Sequence, residues 1–171
     1  MELNPLTALS PIDGRYARQT DALRDIFSEC AFMNARVRVE VEWLISLSEA
    51  GFAELPHLSD HGKAFLRGLA DNFSLADCEA IKEIEKTTNH DVKAVEYWIK
   101  NQVAHDEELK SASEFVHFSC TSEDINNTSH AIMLKRGREA LADYLQQIHD
   151  TIAGFAHQWA EIPMLSRTHG Q

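Results

Sequence analysis

The stretch from Ser122 to about Glu161 most constrains the fold, because its apolar residues recur in alternating steps of four and three. This spacing is the heptad pattern of helices that pack along one seam. A helix of that extent is on the order of 60 Å long at 1.5 Å per residue. It exceeds one small domain, so we expect it to belong to a helical bundle between subunits. The seam residues are Leu141, Leu145, Ile148, Ile152, Phe155 and Trp159.

The residues before this stretch also carry helical signals. The segment 37–43 alternates as a strand would. However, the four-residue spacings Arg36/Glu40 and Arg38/Glu42 suit ion pairs within a helix, and no turn residue interrupts 30–50. We therefore predict a helix over residues 20–50 and a second over about 60–72.

Capping residues predict where three more helices begin. Ser74 with Asp77 and Thr121 with Asp124 match the capping-box pattern, and Asp91 is a suitable cap for a helix through residue 99. Proline and glycine make residues 1–17 an irregular arm. The resulting fold class is all-α, with an N-terminal helical domain over 1–110 and the start of a central helical bundle over 111–171.

Composition excludes several functional classes. The 171 residues are 44% apolar and 25% charged, which is typical of a globular protein. The net charge of −11, without a basic cluster, argues against nucleic-acid binding. No apolar run is long enough for a membrane span, and the N-terminus lacks signal-peptide features.

The spacing of cysteine and histidine residues predicts neither a disulfide framework nor a metal site. Cys30, Cys78 and Cys120 are far apart and odd in number, so we expect reduced thiols in the cytoplasm. His57 and His61 are four residues apart but lack a third ligand, so we expect no metal there.

Four polar loops are candidate binding sites. Three of them precede helices or turns, at residues 14–16, 88–91 and 121–122, and the fourth is 167–169. Backbone N–H groups at a helix N-terminus favour an anion. Each loop, taken alone, is better explained as an ordinary turn or cap than as a binding site.

Four motifs together resemble a known family. They are residues 10–16 (SPIDGRY), 87–97 (TTNHDVKAVEY), 118–127 (FSCTSEDINN) and 166–171 (SRTHGQ). This combination resembles the adenylosuccinate lyase family of the fumarase/aspartase superfamily. The resemblance implies elimination of fumarate from adenylosuccinate, giving AMP, and from the succinyl-carboxamide imidazole ribotide SAICAR, giving AICAR. It implies a homotetramer with composite sites and no cofactor.

The resemblance also implies which residues bind the nucleotide. Arg15 and Tyr16 would hold its phosphate and ribose. Asn89, His90 and Asp91 would line the same pocket, with His90 near the phosphate and assisting the general acid.

The remaining roles concern the reacting end of the substrate. Thr121 and Ser122 would bind the succinyl carboxylates, and His169 would be the general acid, for which imidazole is suited near neutral pH. Thr168 and Gln171 would shape the loop around it.

The chain departs from the family pattern in one respect. The serine-containing loop that supplies the family's base is not in these residues, so we expect the chain to be the front part of a longer protein and inactive alone. Two alternatives remain: another fumarate-releasing lyase of the superfamily, acting for example on argininosuccinate, and a non-catalytic helical interaction module.

Overall fold

A computed structural model describes residues 6–55 and 57–165, and every regular element in these ranges is helical. The helices are α1 (Arg24–Phe27), α2 (Glu29–Glu49), α3 (Asp60–Asp71), α4 (Leu75–Thr88), α5 (Asp91–Val103), α6 (Glu107–Ala112) and α7 (Ser122–Gln158), with short 3-10 turns at Asp21–Leu23 and Ser113–Phe115. The predicted all-α fold class is confirmed.

Helix α2 lies at the centre of the N-terminal region. The Ser28 hydroxyl accepts a hydrogen bond from the Ala31 N–H at 3.1 Å and caps the helix. Val37 and Val41 are almost fully buried in one core with residues of α3, α4 and α5. The alternation over 37–43 therefore reflects burial on several sides of a helix, and the prediction of a helix here is confirmed.

The single helix predicted over residues 20–50 is divided at Ser28, whose extended backbone separates α1 from α2. Of the three helix starts predicted from capping residues, two are confirmed. The Ser74–Asp77 and Thr121–Asp124 capping boxes both form. The prediction that Asp91 caps α5 is wrong: His90 is the N-cap, and its ring accepts the Lys93 N–H. Imidazole competes for this position because its unprotonated Nδ1 is an acceptor.

Helix α7 has two different halves. Ile125, Ser129, Met133 and Gly137 recur every four residues and are buried on the side that packs against α1 and α2. Beyond Gly137, the six side chains of the predicted seam are 44–65% exposed in the described chain. The helix ends at Gln158, three residues before the predicted end.

The expectation of three reduced thiols is wrong. Cys30 of α2 and Cys78 of α4 form a disulfide, with Cα atoms 5.7 Å apart, and Cys120 is free. The cysteines are 48 residues apart, so only the packing of two helices reveals the pair. Within 6–55 and 57–165, no helix is long and apolar enough to cross a membrane.

Candidate active site

The loop between α4 and α5 turns sharply at Asn89. Asn89 adopts a left-handed conformation with φ of 49°, which ends α4 and reverses the chain. His90 follows as the extended N-cap of α5, and its Nδ1 lies 3.2 Å from the Lys93 nitrogen. Because Nδ1 accepts this hydrogen bond, the neutral ring carries its own proton on Nε2.

The second loop presents Thr121 and Ser122 at the start of α7. The Asp124 carboxylate accepts hydrogen bonds from the Thr121 N–H and hydroxyl, both at 2.8 Å. These bonds from the Thr121 backbone and side chain hold the pKa of the Asp124 carboxyl below its ordinary value. Ser122 is the first residue of α7, so it belongs to the N-terminal turn, whose first N–H groups have no partner within the helix.

The two loops meet although 32 residues separate them. The Ser122 Oγ lies 3.4 Å from the His90 Nε2. Two helix N-termini, a hydroxyl and an imidazole therefore converge. Such a cluster of donors suits carboxylate or phosphate groups.

An open cavity lies beside His90, between α2 and the α4–α5 loop. Phe32 and Arg36 of α2 form one wall, and Asn89, His90 and Asp91 form another. Burial raises the pKa of the Asp91 carboxyl, but the Val92 N–H and the charge of Arg36 outweigh it, and the pKa lies below its ordinary value. The structure thus brings together the predicted residues Asn89, His90 and Asp91.

Two interactions hold the loop that leads to Thr121. The Trp43 Nε1 donates to the Phe118 carbonyl at 2.8 Å, and the His117 Nδ1 lies 2.5 Å from the Glu40 Oε1. His117 and Ser119 have positive φ angles of 64° and 61°, which non-glycine residues adopt only where their surroundings hold them. Sequence analysis had missed this role for Glu40.

Glu40 is 1% exposed and reaches His117 across the core. Burial raises the pKa of its carboxyl, and the hydrogen bond and charge of His117 offset this only in part. A glutamate directly between Val39 and Val41 was the one signal in the sequence that could have indicated a buried acid.

The ion pairs of α2 differ from those expected from four-residue spacing. Arg36 pairs with Asp91 and Arg38 with Asp71. Their expected partners, Glu40 and Glu42, instead bind His117 and Arg67. The helix was correctly predicted, but tertiary packing gives each of these four charged side chains a partner from another part of the chain.

Arg15 and Tyr16 lie on the arm and are not part of the His90–Ser122 cluster. Tyr16 is exposed, and the Arg15 guanidinium carbon lies 5.5 Å from the centre of its ring. The Tyr16 N–H donates to the Pro11 carbonyl at 2.8 Å, which closes the arm on itself.

Three predicted site residues lie outside the described ranges: Thr168, His169 and Gln171. Their roles stay predictions. Among the residues that the structure does describe, no group of three or more histidine, cysteine or acidic side chains is arranged to hold a metal ion.

Comparison with known proteins finds one matching family and relatives that share one name. A family described as "Lyase" matches residues 14–171. The adenylosuccinate lyases of Vibrio cholerae and Haemophilus influenzae are each 53% identical over the whole chain, and that of Escherichia coli K12 is 52% identical. The chain spans 38% of the length of each of these relatives.

Proposed function

Because the chain belongs to the lyase family that matches residues 14–171, we propose that the protein eliminates fumarate from adenylosuccinate, leaving AMP, and from SAICAR, leaving AICAR. Three relatives that match the whole chain are named adenylosuccinate lyase. The observation that carries the proposal is the 3.4 Å approach of the Ser122 Oγ to the His90 Nε2. This approach brings together two loops whose sequences resemble motifs of the family, and the combined groups suit an anion.

The reaction breaks a carbon–nitrogen bond by acid–base chemistry. A base removes a proton beside a carboxylate, and an acid protonates the leaving nitrogen. The dianionic intermediate is stabilised by donors placed where its charge develops. Protonation and deprotonation suffice for this step, so the proposal includes neither a metal nor an organic cofactor.

The described residues suit the binding part of this reaction. Thr121 and Ser122 would bind the succinyl carboxylates through hydroxyl and N-terminal N–H groups of α7. Asn89, His90 and Asp91 would line the nucleotide side of the pocket, with the Nε2–H of His90 directed at the same cluster as Ser122.

The other proposed roles rest on the resemblance of the motifs. His169 would protonate the leaving nitrogen, within a loop shaped by Thr168 and Gln171. Arg15 and Tyr16 would clamp the phosphate and ribose in a cytoplasmic homotetramer whose sites combine residues of several subunits. Within one chain, Arg15 and Tyr16 are not part of the His90–Ser122 cluster. We therefore expect them to complete the active site of a neighbouring subunit in the tetramer.

The test is fumarate release by the product of the complete reading frame. We expect release from adenylosuccinate and none from argininosuccinate, and we expect His169→Ala to abolish it. Release from argininosuccinate alone would favour another lyase of the superfamily. No release from either substrate would favour a helical interaction module.

Matched capping boxes separate a catalytic role for Thr121 from a structural one. Thr121→Ala and Ser74→Ala each remove a cap worth about 1 kcal/mol of stability. We expect similar losses in the free energy of unfolding, but a large loss of fumarate release only in Thr121→Ala. Equal activity in the two variants would contradict carboxylate binding by Thr121.

A further inference from the structure

Arg36 of α2 bonds to both loops of the candidate site. Its Nη2 donates to the Asp91 Oδ2 at 2.5 Å, and its Nε donates to the Asn126 Oδ1 at 2.9 Å. Asp91 is the first residue of α5, and Asn126 lies one turn into α7. One guanidinium therefore joins the two helix N-termini that converge at the site.

The guanidinium is held in one orientation. The Arg36 side chain is only 6% exposed, and its guanidinium carbon lies 3.9 Å from the centre of the Phe32 ring. The same ring stacks on His130 of α7, with ring centres 4.4 Å apart. Stacking and two divergent hydrogen bonds together require the planar fork of arginine, which lysine lacks.

The partners of Arg36 adjoin the residues proposed to bind substrate. Asp91 follows His90 in the chain, and Asn126 lies four residues after Ser122, on the same side of α7. Movement of either partner would change the distance between the His90 Nε2 and the Ser122 Oγ. A displacement on the order of 1 Å in such a site can cost about 100-fold in rate.

We infer that Arg36 is a positioning residue that sets the separation of His90 and Ser122 for the reaction proposed above. It does not contact the reacting atoms itself. The inference rests on the proposed function, because it assigns to Arg36 the alignment of the groups that bind the substrate.

The first test compares Arg36→Lys with Arg38→Lys in the product of the complete reading frame. Arg38 is the matched control, since it lies on the same helix and its 2.7 Å ion pair is with Asp71 of α3, not with a residue of the two site loops. We expect Arg36→Lys to lower kcat for fumarate release by about 10- to 100-fold, with a smaller change in KM. Arg38→Lys should stay within about twofold of the unmodified protein, because exposed ion pairs contribute little.

A milder pair of variants covers the case in which Arg36→Lys fails to fold. Asn126→Ala removes one of the two acceptors, while Asn127→Ala removes an exposed amide whose hydrogen bond among the described residues is to Glu123. We expect kcat to fall in Asn126→Ala and not in Asn127→Ala, at a temperature well below the unfolding midpoint of both.

A double-mutant cycle distinguishes positioning from a general structural role. If Arg36 acts by aligning Ser122, Arg36→Lys should cost clearly less in a Ser122→Ala background than in the unmodified protein. Full additivity in kcat, or equal activities of Arg36→Lys and Arg38→Lys, would overturn the inference and leave the proposed function standing. Absence of fumarate release by the unmodified protein would overturn the proposed function and this role of Arg36 with it.

Discussion

At the scale of single residues, α2 shows that burial changes the pKa of a carboxyl group. Glu40 and Glu42 are two residues apart, yet one lies in the core beside His117 and the other is half-buried beside Arg67. The pKa of the Glu40 carboxyl is raised by burial, while the pKa of the Glu42 carboxyl is lowered, chiefly by its hydrogen bond from Arg67. As pH rises, ionisation of Glu40 should therefore lower the free energy of unfolding, whereas ionisation of Glu42 should raise it.

For Glu40, the folded state holds its proton more tightly than the unfolded state. Between the ordinary pKa of 4.5 and the raised value, stability should fall as pH rises. Glu40→Gln should remove this decline, as measured by urea unfolding over a pH series. His117 and Glu96 face Glu40 and are unchanged in this variant.

Glu42→Gln is the control for this prediction. The contribution of Glu42 is present above its ordinary pKa of 4.5 and is lost as pH falls through its lowered pKa, so the variant should lose stability near neutral pH. An unchanged pH profile in Glu40→Gln would contradict the raised pKa of Glu40.

At the scale of elements, the two halves of α7 face different surroundings. Near Gly137, the helix lies so close to α1 that an added Cβ would collide with the Phe27 ring. At Gly154, nothing lies within 4 Å of the same atom. The first glycine allows α7 to approach α1, while the second has no such role in the described chain.

These surroundings predict opposite effects of one substitution. Gly137→Ala should destabilise the protein by about 1 kcal/mol, at the low end of overpacking costs, because the half-exposed Phe27 ring must move away. Gly154→Ala should stabilise the helix by up to about 1 kcal/mol, because alanine is the better helix former. Urea unfolding followed by far-UV circular dichroism measures both, and destabilisation by Gly154→Ala would show that another surface packs there.

At the scale of the whole molecule, the predicted seam along α7 is an exposed apolar surface of the described chain. Its six apolar side chains lie in one line beyond the part of the helix that packs on α2. Apolar patches of this kind mark interaction surfaces. The predicted division of the chain after residue 110 falls inside α6, and it stays a prediction.

We expect the 171-residue chain to pair through this seam. Leu145→Glu should shift the mass measured by sedimentation velocity towards the monomer, because it places a charge within the paired surface. Gln146→Glu adds the same charge at the neighbouring position off the seam and should leave the mass unchanged. A monomeric unmodified chain at high concentration would contradict the prediction.

Local patterns in the sequence determined the all-helical fold class and the starts of α4 and α7, but not the break at Ser28 or the short helix α6. Apolar spacing and the capping boxes at Ser74 and Thr121 act over a few residues, so the sequence shows them directly. The family resemblance of the motifs likewise identified Asn89, His90 and Ser122 as site candidates from the amino-acid sequence alone.

Only the tertiary structure decided which distant residues meet. The pairs Arg36–Asp91, Glu40–His117 and Cys30–Cys78 span 55, 77 and 48 residues. Spacing within one helix had indicated another partner for Arg36 and for Glu40, because a linear pattern reveals only neighbours three or four residues apart. Packing supplies closer partners and sets the burial of each charge, which is why the cluster of His90 and Ser122, and its support by Arg36, appear only in the folded chain.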